Sequence, residues 1–249
     1  MNTVSEPMLN TAVYTPLELF LFVGGCFLWV ILYGILIYRA RTINYIEMPL
    51  LVAAGNIAWE FIWSFCFRPD MGWLVVWGYR LWFVLDIYIF YQALRLGRNY
   101  IDIPFFKRNF TALGIILALA WGVMFYLFTM SGQQGFSFGI LTGNYAIPGD
   151  YETRFGSMTA YIDCVFISAL YVILILKPDT DVSLLSTPIA WLKMIGTGMN
   201  SVMMFLHFHS PSIYKGAYLL HVLCIFVFVL DCLYIYWLLQ RKRTQQPIV

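Results

Sequence analysis

Seven long apolar runs constrain this chain more than any other feature. They read at about 17–38, 47–67, 73–94, 111–130, 157–176, 187–207 and 217–239. Each approaches the ~20 residues that an α-helix needs to cross a ~30 Å hydrocarbon layer. A segment in lipid has no water to satisfy its backbone, and a helix satisfies its own. Composition agrees: 61% of the residues are hydrophobic and 11% charged, against roughly a quarter charged in soluble domains. The expected fold is therefore all-α: one seven-transmembrane helical bundle over residues 1–249, with no soluble domain between spans. The first span lacks a basic leader and is expected to be retained as a membrane helix.

The basic residues orient the bundle. With an external or lumenal N-terminus, Arg39, Arg41, Arg95, Arg98, Lys107, Arg108, Lys177, Lys193, Arg241, Lys242 and Arg243 fall on the cytoplasmic side. Arg68, Arg80, Arg154 and Lys215 fall outside. Eleven against four is a positive-inside bias that places the C-terminus in the cytoplasm. The basic end "RKR" reads as an anchor at the lipid surface, and no nucleic-acid partner is expected. Cys26, Cys66, Cys164, Cys224 and Cys232 lie in or beside spans with no paired spacing, so they read as small apolar residues.

The third and seventh spans echo one another. "FVLDIYIFYQALRLGR" and "FVLDCLYIYWLLQRKR" both place an aspartate after "FVL" and a basic end further on. Two parallel three-helix repeats joined by a linker helix would produce this echo. The stretch 131–156, rich in glycine and aromatics, reads as a loop folded over the mouth of the bundle.

Acids inside the spans need a reason, because charge in hydrocarbon is costly. Glu60, Asp86, Asp163 and Asp231 are such acids, with Asn56, Asn200 and His207 as polar neighbours. Too few basic residues lie deep enough to pair with all of them. Some must then be protonated, hydrogen-bonded or turned to a wet cavity. A carboxylic acid kept neutral can donate a proton.

Helical spacing groups these residues. Asn56, Glu60 and Ser64 share a face, as do Trp82, Asp86 and Phe90, and Asp231 with Tyr234; Thr197, Asn200, Met204 and His207 form another stripe. Asp163 reads as lying near the outer end of span five. Glu60 lies roughly 18 Å into its span at about 1.5 Å per residue, which puts it within about 10 Å of Asp231 in depth. The two are expected to flank one cavity. Trp59, Trp63, Trp82 and Tyr234 cluster beside the acids, and aromatic faces attract positive charge. An acid among aromatic walls suits a reaction that creates a carbocation. His207 and His209 are too isolated for a metal site.

The stretch "MPLLVAAGNIAWEF" resembles the integral-membrane terpene cyclases of meroterpenoid pathways. The resemblance implies seven membrane helices and no metal or cofactor. It implies cyclisation of a polyprenyl chain on an aromatic or indole-type head, begun by protonating an epoxide or terminal alkene. Glu60 after Trp59 matches the family's glutamate, Asn56 its upstream asparagine, and Asp231 in "FVLDCLYIYW" its last-helix aspartate. On this reading Glu60 donates the proton, Asn56 holds its geometry, and Asp231 tunes or replenishes the proton or accepts the final one. Asp86 joins the same network. The competing class is a small proton-coupled or facilitative transporter, which seven spans and midplane acids also suit. A retinal receptor is excluded, because span seven holds no lysine for a Schiff base.

Overall fold

The computed structural model describes residues 7–133, 150–207 and 218–245. Every regular element among them is helical. The seven main helices are α1 (Pro16–Thr42), α2 (Leu50–Phe61), α3 (Trp73–Gly97), α4 (Pro104–Gln133), α5 (Asp150–Leu176), α6 (Thr187–His207) and α7 (Tyr218–Gln245). All but α2 are long and apolar enough to span a membrane. α2 runs on into a π-helical turn, Ile62–Cys66, giving a shorter apolar segment over Leu50–Cys66. This is a multi-pass integral membrane bundle.

Local chemistry sets the helix ends. Thr15 and Glu18 cap α1 reciprocally: the Glu18 N–H donates to Thr15 Oγ1 (3.3 Å), and the Thr15 N–H donates to Glu18 Oε2 (2.7 Å). Pro16 follows at the first helical position, where its missing N–H costs nothing. Gly72 starts α3 at φ +107°, a conformation that disfavours side chains. A Cβ there would also meet the carbonyl oxygens of Pro7 and Met8 at 2.9 and 2.6 Å. Trp73 and Leu74 donate backbone hydrogen bonds to those same carbonyls. The segment 7–14 is thus laced to the start of α3.

The two triplets pack alike. In α1–α3 and in α5–α7, the third helix packs on both others. Each triplet's first helix packs on the other's second: α1 on α6, and α5 on α2. This neighbour pattern is what two parallel repeats would give. α4 covers α2 from the lipid side, and α2 contacts α3, α4 and α5. The outer faces carry exposed apolar side chains such as Phe20, Phe27, Leu119, Trp77 and Ile225. Their solvent is lipid.

Several boundaries differ from expectation. α5 begins at Asp150 rather than 157, so Asp163 stands at its midpoint instead of near its outer end. α2 begins at Leu50, so Glu47 belongs to the preceding loop. α4 runs to Gln133 and α5 starts at Asp150; the proposed cap over 131–156 lies largely outside the described residues.

The loops at the α1–α2 end of the bundle form a polar knot. Glu47 is 2% exposed. Its Oε2 accepts from the Ser186 N–H (2.8 Å), its Oε1 accepts from the Tyr234 hydroxyl (3.3 Å), and Arg39 Nε lies 3.9 Å away. Lys242 donates to the Leu185 carbonyl at 2.6 Å. Arg241 donates to four carbonyls between Ile175 and Thr180. The α1–α2 loop, the α5–α6 loop and the end of α7 are held together in this way.

Candidate active site

A cavity opens among α1, α2, α3, α5 and α6, with about 760 Å³ of empty space including its mouth. Its walls are mostly aromatic: Phe22 and Trp29 of α1, Trp59 of α2, Tyr79 and Trp82 of α3, and Tyr161 of α5. Ring packing fixes them. Trp59 meets Tyr79 edge-on at 5.2 Å, and Tyr79 meets Trp82 at 5.8 Å. Polar ends of these rings are anchored as well. Trp59 Nε1 donates to Thr159 Oγ1 (2.9 Å), Trp29 Nε1 to Thr197 Oγ1 (3.2 Å), and the Tyr161 hydroxyl pairs with Ser201 Oγ (2.7 Å). Such anchoring leaves aromatic faces free to line the space.

Glu60 lies in this wall, 3% exposed. It shares the inward face of α2 with Asn56, one turn earlier. A residue of α1 links the two: Asn56 Nδ2 donates to the Tyr33 hydroxyl (2.8 Å), which donates to Glu60 Oε1 (3.1 Å). Oε2 receives no N–H or hydroxyl donor, and the Glu60 carboxyl lies within hydrogen-bond reach of the Asp86 carboxyl. Tyr33 thereby holds one oxygen, and the two carboxyls can share a proton. Asp163 lines the cavity from α5, and its Oδ1 also lacks a donor. Its carboxyl leans over Gly55 of α2, where any Cβ would collide with it. Asp86 of α3 sits behind the wall, 1% exposed, with its carboxyl hydrogen-bonded to that of Glu60. Tyr33, Glu60, Asp86 and Asp163 are mutual electrostatic neighbours.

The structure gathers Glu60, Asn56, Trp59, Trp82, Asp163, Asn200 and Met204 around one cavity. It does not bring Asp231, Tyr234, Trp63 or Asp86 to its surface. The expectation that Glu60 and Asp231 flank one space is corrected. Asp231 Oδ1 is instead bound by Lys193 Nζ at 2.5 Å, and Lys193 also donates to Ser168 Oγ at 2.6 Å. Lys193 is 3% exposed, so it belongs to the interior and not to the cytoplasmic tally. The reason is the cost of an unpaired buried charge, which a partner on the adjacent helix removes. Cys164, a cavity residue, neighbours both this pair and Asp163. Tyr234 turns to Glu47 and Tyr171, at the end of the bundle that carries the α1–α2 loop. Trp63 packs one turn beyond Trp59, fully buried. His207 pairs with Glu18 (3.3 Å) and stacks on Tyr14 at the opposite end; His209 lies outside the described residues.

Sequence reasoning missed Tyr33 and the Lys193–Ser168 contact. Tyr33 carries no signal of its own among so many aromatics. Lys193 does: it stands six residues past Thr187 within an apolar span, and a lysine there requires an acid. Among the described residues no three histidine, cysteine, aspartate or glutamate side chains gather as metal ligands.

The family model of Pyr4-like transmembrane terpene cyclases matches residues 3–244. No curated protein and no solved structure matches the chain.

Proposed function

Because the chain belongs to the Pyr4-like transmembrane terpene cyclases, we propose that it cyclises the prenyl chain of an aromatic or indole-type substrate by proton transfer from Glu60. The observation that carries this reading is the state of the Glu60 carboxyl. It sits in the wall of an aromatic cavity, held by Tyr33 through one oxygen and backed by the Asp86 carboxyl.

The acid form of Glu60 delivers its proton to a terminal alkene or epoxide. This is general acid catalysis, which typically contributes about 10²–10⁴-fold. The alkene π pair forms the new C–H bond, or the epoxide oxygen takes the proton and its C–O bond opens. Internal alkenes then attack the cation in turn. Trp59, Tyr79 and Trp82 present ring faces to this moving charge. The same walls fold the chain so that reacting carbons meet, and they exclude water that would end the cascade early. Asn56 acts through Tyr33 as a positioning residue. The Lys193–Asp231 pair fixes α6 against α7 behind the cavity, so Asp231 is also a positioning residue. Orientation follows the basic residues: setting Lys193 aside leaves ten inside against four outside, with the N-terminus external or lumenal. The bilayer itself delivers the apolar substrate.

Membranes carrying the protein are to be supplied with a farnesylated phenol or indole, with and without a terminal epoxide. Conversion to isomers of unchanged mass is expected. Glu60→Gln should lose at least about 10²-fold in turnover while inserting normally. Full turnover by that variant would overturn the assignment of the donor.

A further inference from the structure

We propose that Asp163 accepts the proton that ends the cyclisation and that Asp86 passes it back to Glu60, so that one proton circulates within the site. The inference rests on the cyclase reading above. It starts from a count of charges. Glu60, Asp86 and Asp163 are buried together. Among the described residues, no basic side chain is one of the groups that act on these three carboxyls, and the interior Lys193 is engaged by Asp231 and Ser168. Three adjacent carboxylates without a cation would repel strongly in this medium, whereas one negative charge shared among three carboxyls is tolerable. At most one of the three is ionised, and the cycle proposed runs with two protons on the three groups.

Their positions assign the charge. Glu60 and Asp163 both line the cavity, from α2 and α5 respectively, while Asp86 stands behind. Asp163 Oδ1 lacks a donor, which suits a base. Gly55 clears the space that lets this carboxyl lean onto α2 beside the donor. In the resting site Glu60 and Asp86 carry the protons and Asp163 the charge.

The steps balance. The Glu60 O–H bond breaks as the substrate is protonated, leaving a carboxylate. At the end of the cascade, a C–H bond beside the last cation breaks. Its electron pair becomes the new C=C bond, and its proton goes to Asp163. Asp86 then gives its proton to Glu60 and takes the one on Asp163. The substrate is isomerised with no net proton taken from solvent, which matters for a donor buried in the membrane.

The test uses the full chain in membranes and the farnesylated phenol, as alkene and as epoxide. Asp163→Asn is expected to consume substrate in a single turnover, but to give cations trapped by water, one water heavier, together with double-bond isomers. Asp163→Glu should restore the wild-type alkene, which separates the base from its packing. Asp86→Asn should give the wild-type product in a first-turnover burst, followed by steady-state turnover slowed about tenfold or more. With the alkene substrate, unlabelled molecules mixed with prenyl-deuterated ones should yield product carrying one deuterium in wild type and none in Asp163→Asn. A wild-type product ratio and burst in Asp163→Asn would overturn the inference, as would wild-type product drawing its new hydrogen only from solvent. If Glu60→Gln is dead yet Asp163→Asn matches wild type, this inference alone fails. If wild type converts nothing, the cyclase reading itself fails.

Discussion

Tyr33 shows how little it takes to decide which oxygen of a carboxyl reacts. Its hydroxyl accepts from Asn56 and donates to Glu60 Oε1, so three side chains from two helices form one line. Removing that hydroxyl leaves two buried polar groups unsatisfied, at about 1–3 kcal/mol each. Tyr33→Phe is expected to lower kcat about tenfold or more with KM for the prenylated phenol little changed, because the ring still fills its place. Steady-state kinetics on membranes would check this, and an unchanged kcat would refute the role. Lys193 and Asp231 give a second prediction at this scale. Lys193→Met alone strands a buried carboxylate and should cost about 3–5 kcal/mol, whereas Lys193→Met with Asp231→Leu should recover most of that. Thermal unfolding in detergent distinguishes the two. Glu60 was legible in the sequence because an acid amid apolar residues is conspicuous. Tyr33 was not, because a tyrosine in a membrane helix is ordinary until its partner is known. Asp231 was legible as unusual, but the reason for it lay on another helix.

Elements explain why the cavity lies where it does. α1, α2, α3, α5 and α6 each contribute to its wall, and only α2 carries both Asn56 and Glu60 on its face. The α1–α2 and α5–α6 loops fix one end of the bundle through Glu47. Burial, partly offset by the Ser186 N–H and by Arg39, pushes the Glu47 carboxyl up to about 8 from its ordinary 4.5. The folded chain therefore keeps a proton that the unfolded chain releases between about pH 4.5 and 8. Stability should fall as pH rises through that window and level off above it. Glu47→Gln should flatten this part of the profile, which melting curves at several pH values would reveal. Span count and most boundaries were legible, since a run of some twenty apolar residues has few other uses. The early start of α5 was not, because "DYETR" at 150–154 is too polar to read as the beginning of a membrane helix. That shift moved Asp163 from a helix end to mid-membrane.

The whole molecule is two similar triplets closed against each other, with α4 laid outside. The echo between "FVLD" at 83–86 and "FVLD" at 228–231 anticipated this pairing, yet the two aspartates have diverged in use. Asp86 backs the acid site; Asp231 is committed to Lys193. A repeat fixes where residues stand and not what they do there. The π-helical turn at Ile62–Cys66 has an outcome at this level. Such a turn holds one residue more than an α-helical turn would. Shortening it by one residue would let it close as an α-helical turn and pull the following loop toward α2, while Glu60, upstream, kept its station. Deleting Ser64 is thus expected to alter the spectrum of ring products more than the rate of substrate consumption, as chromatography of the mixture would show. The chain has separated ignition from mould: how the hydrocarbon is lit and what shape it sets into can be revised independently, one residue at a time.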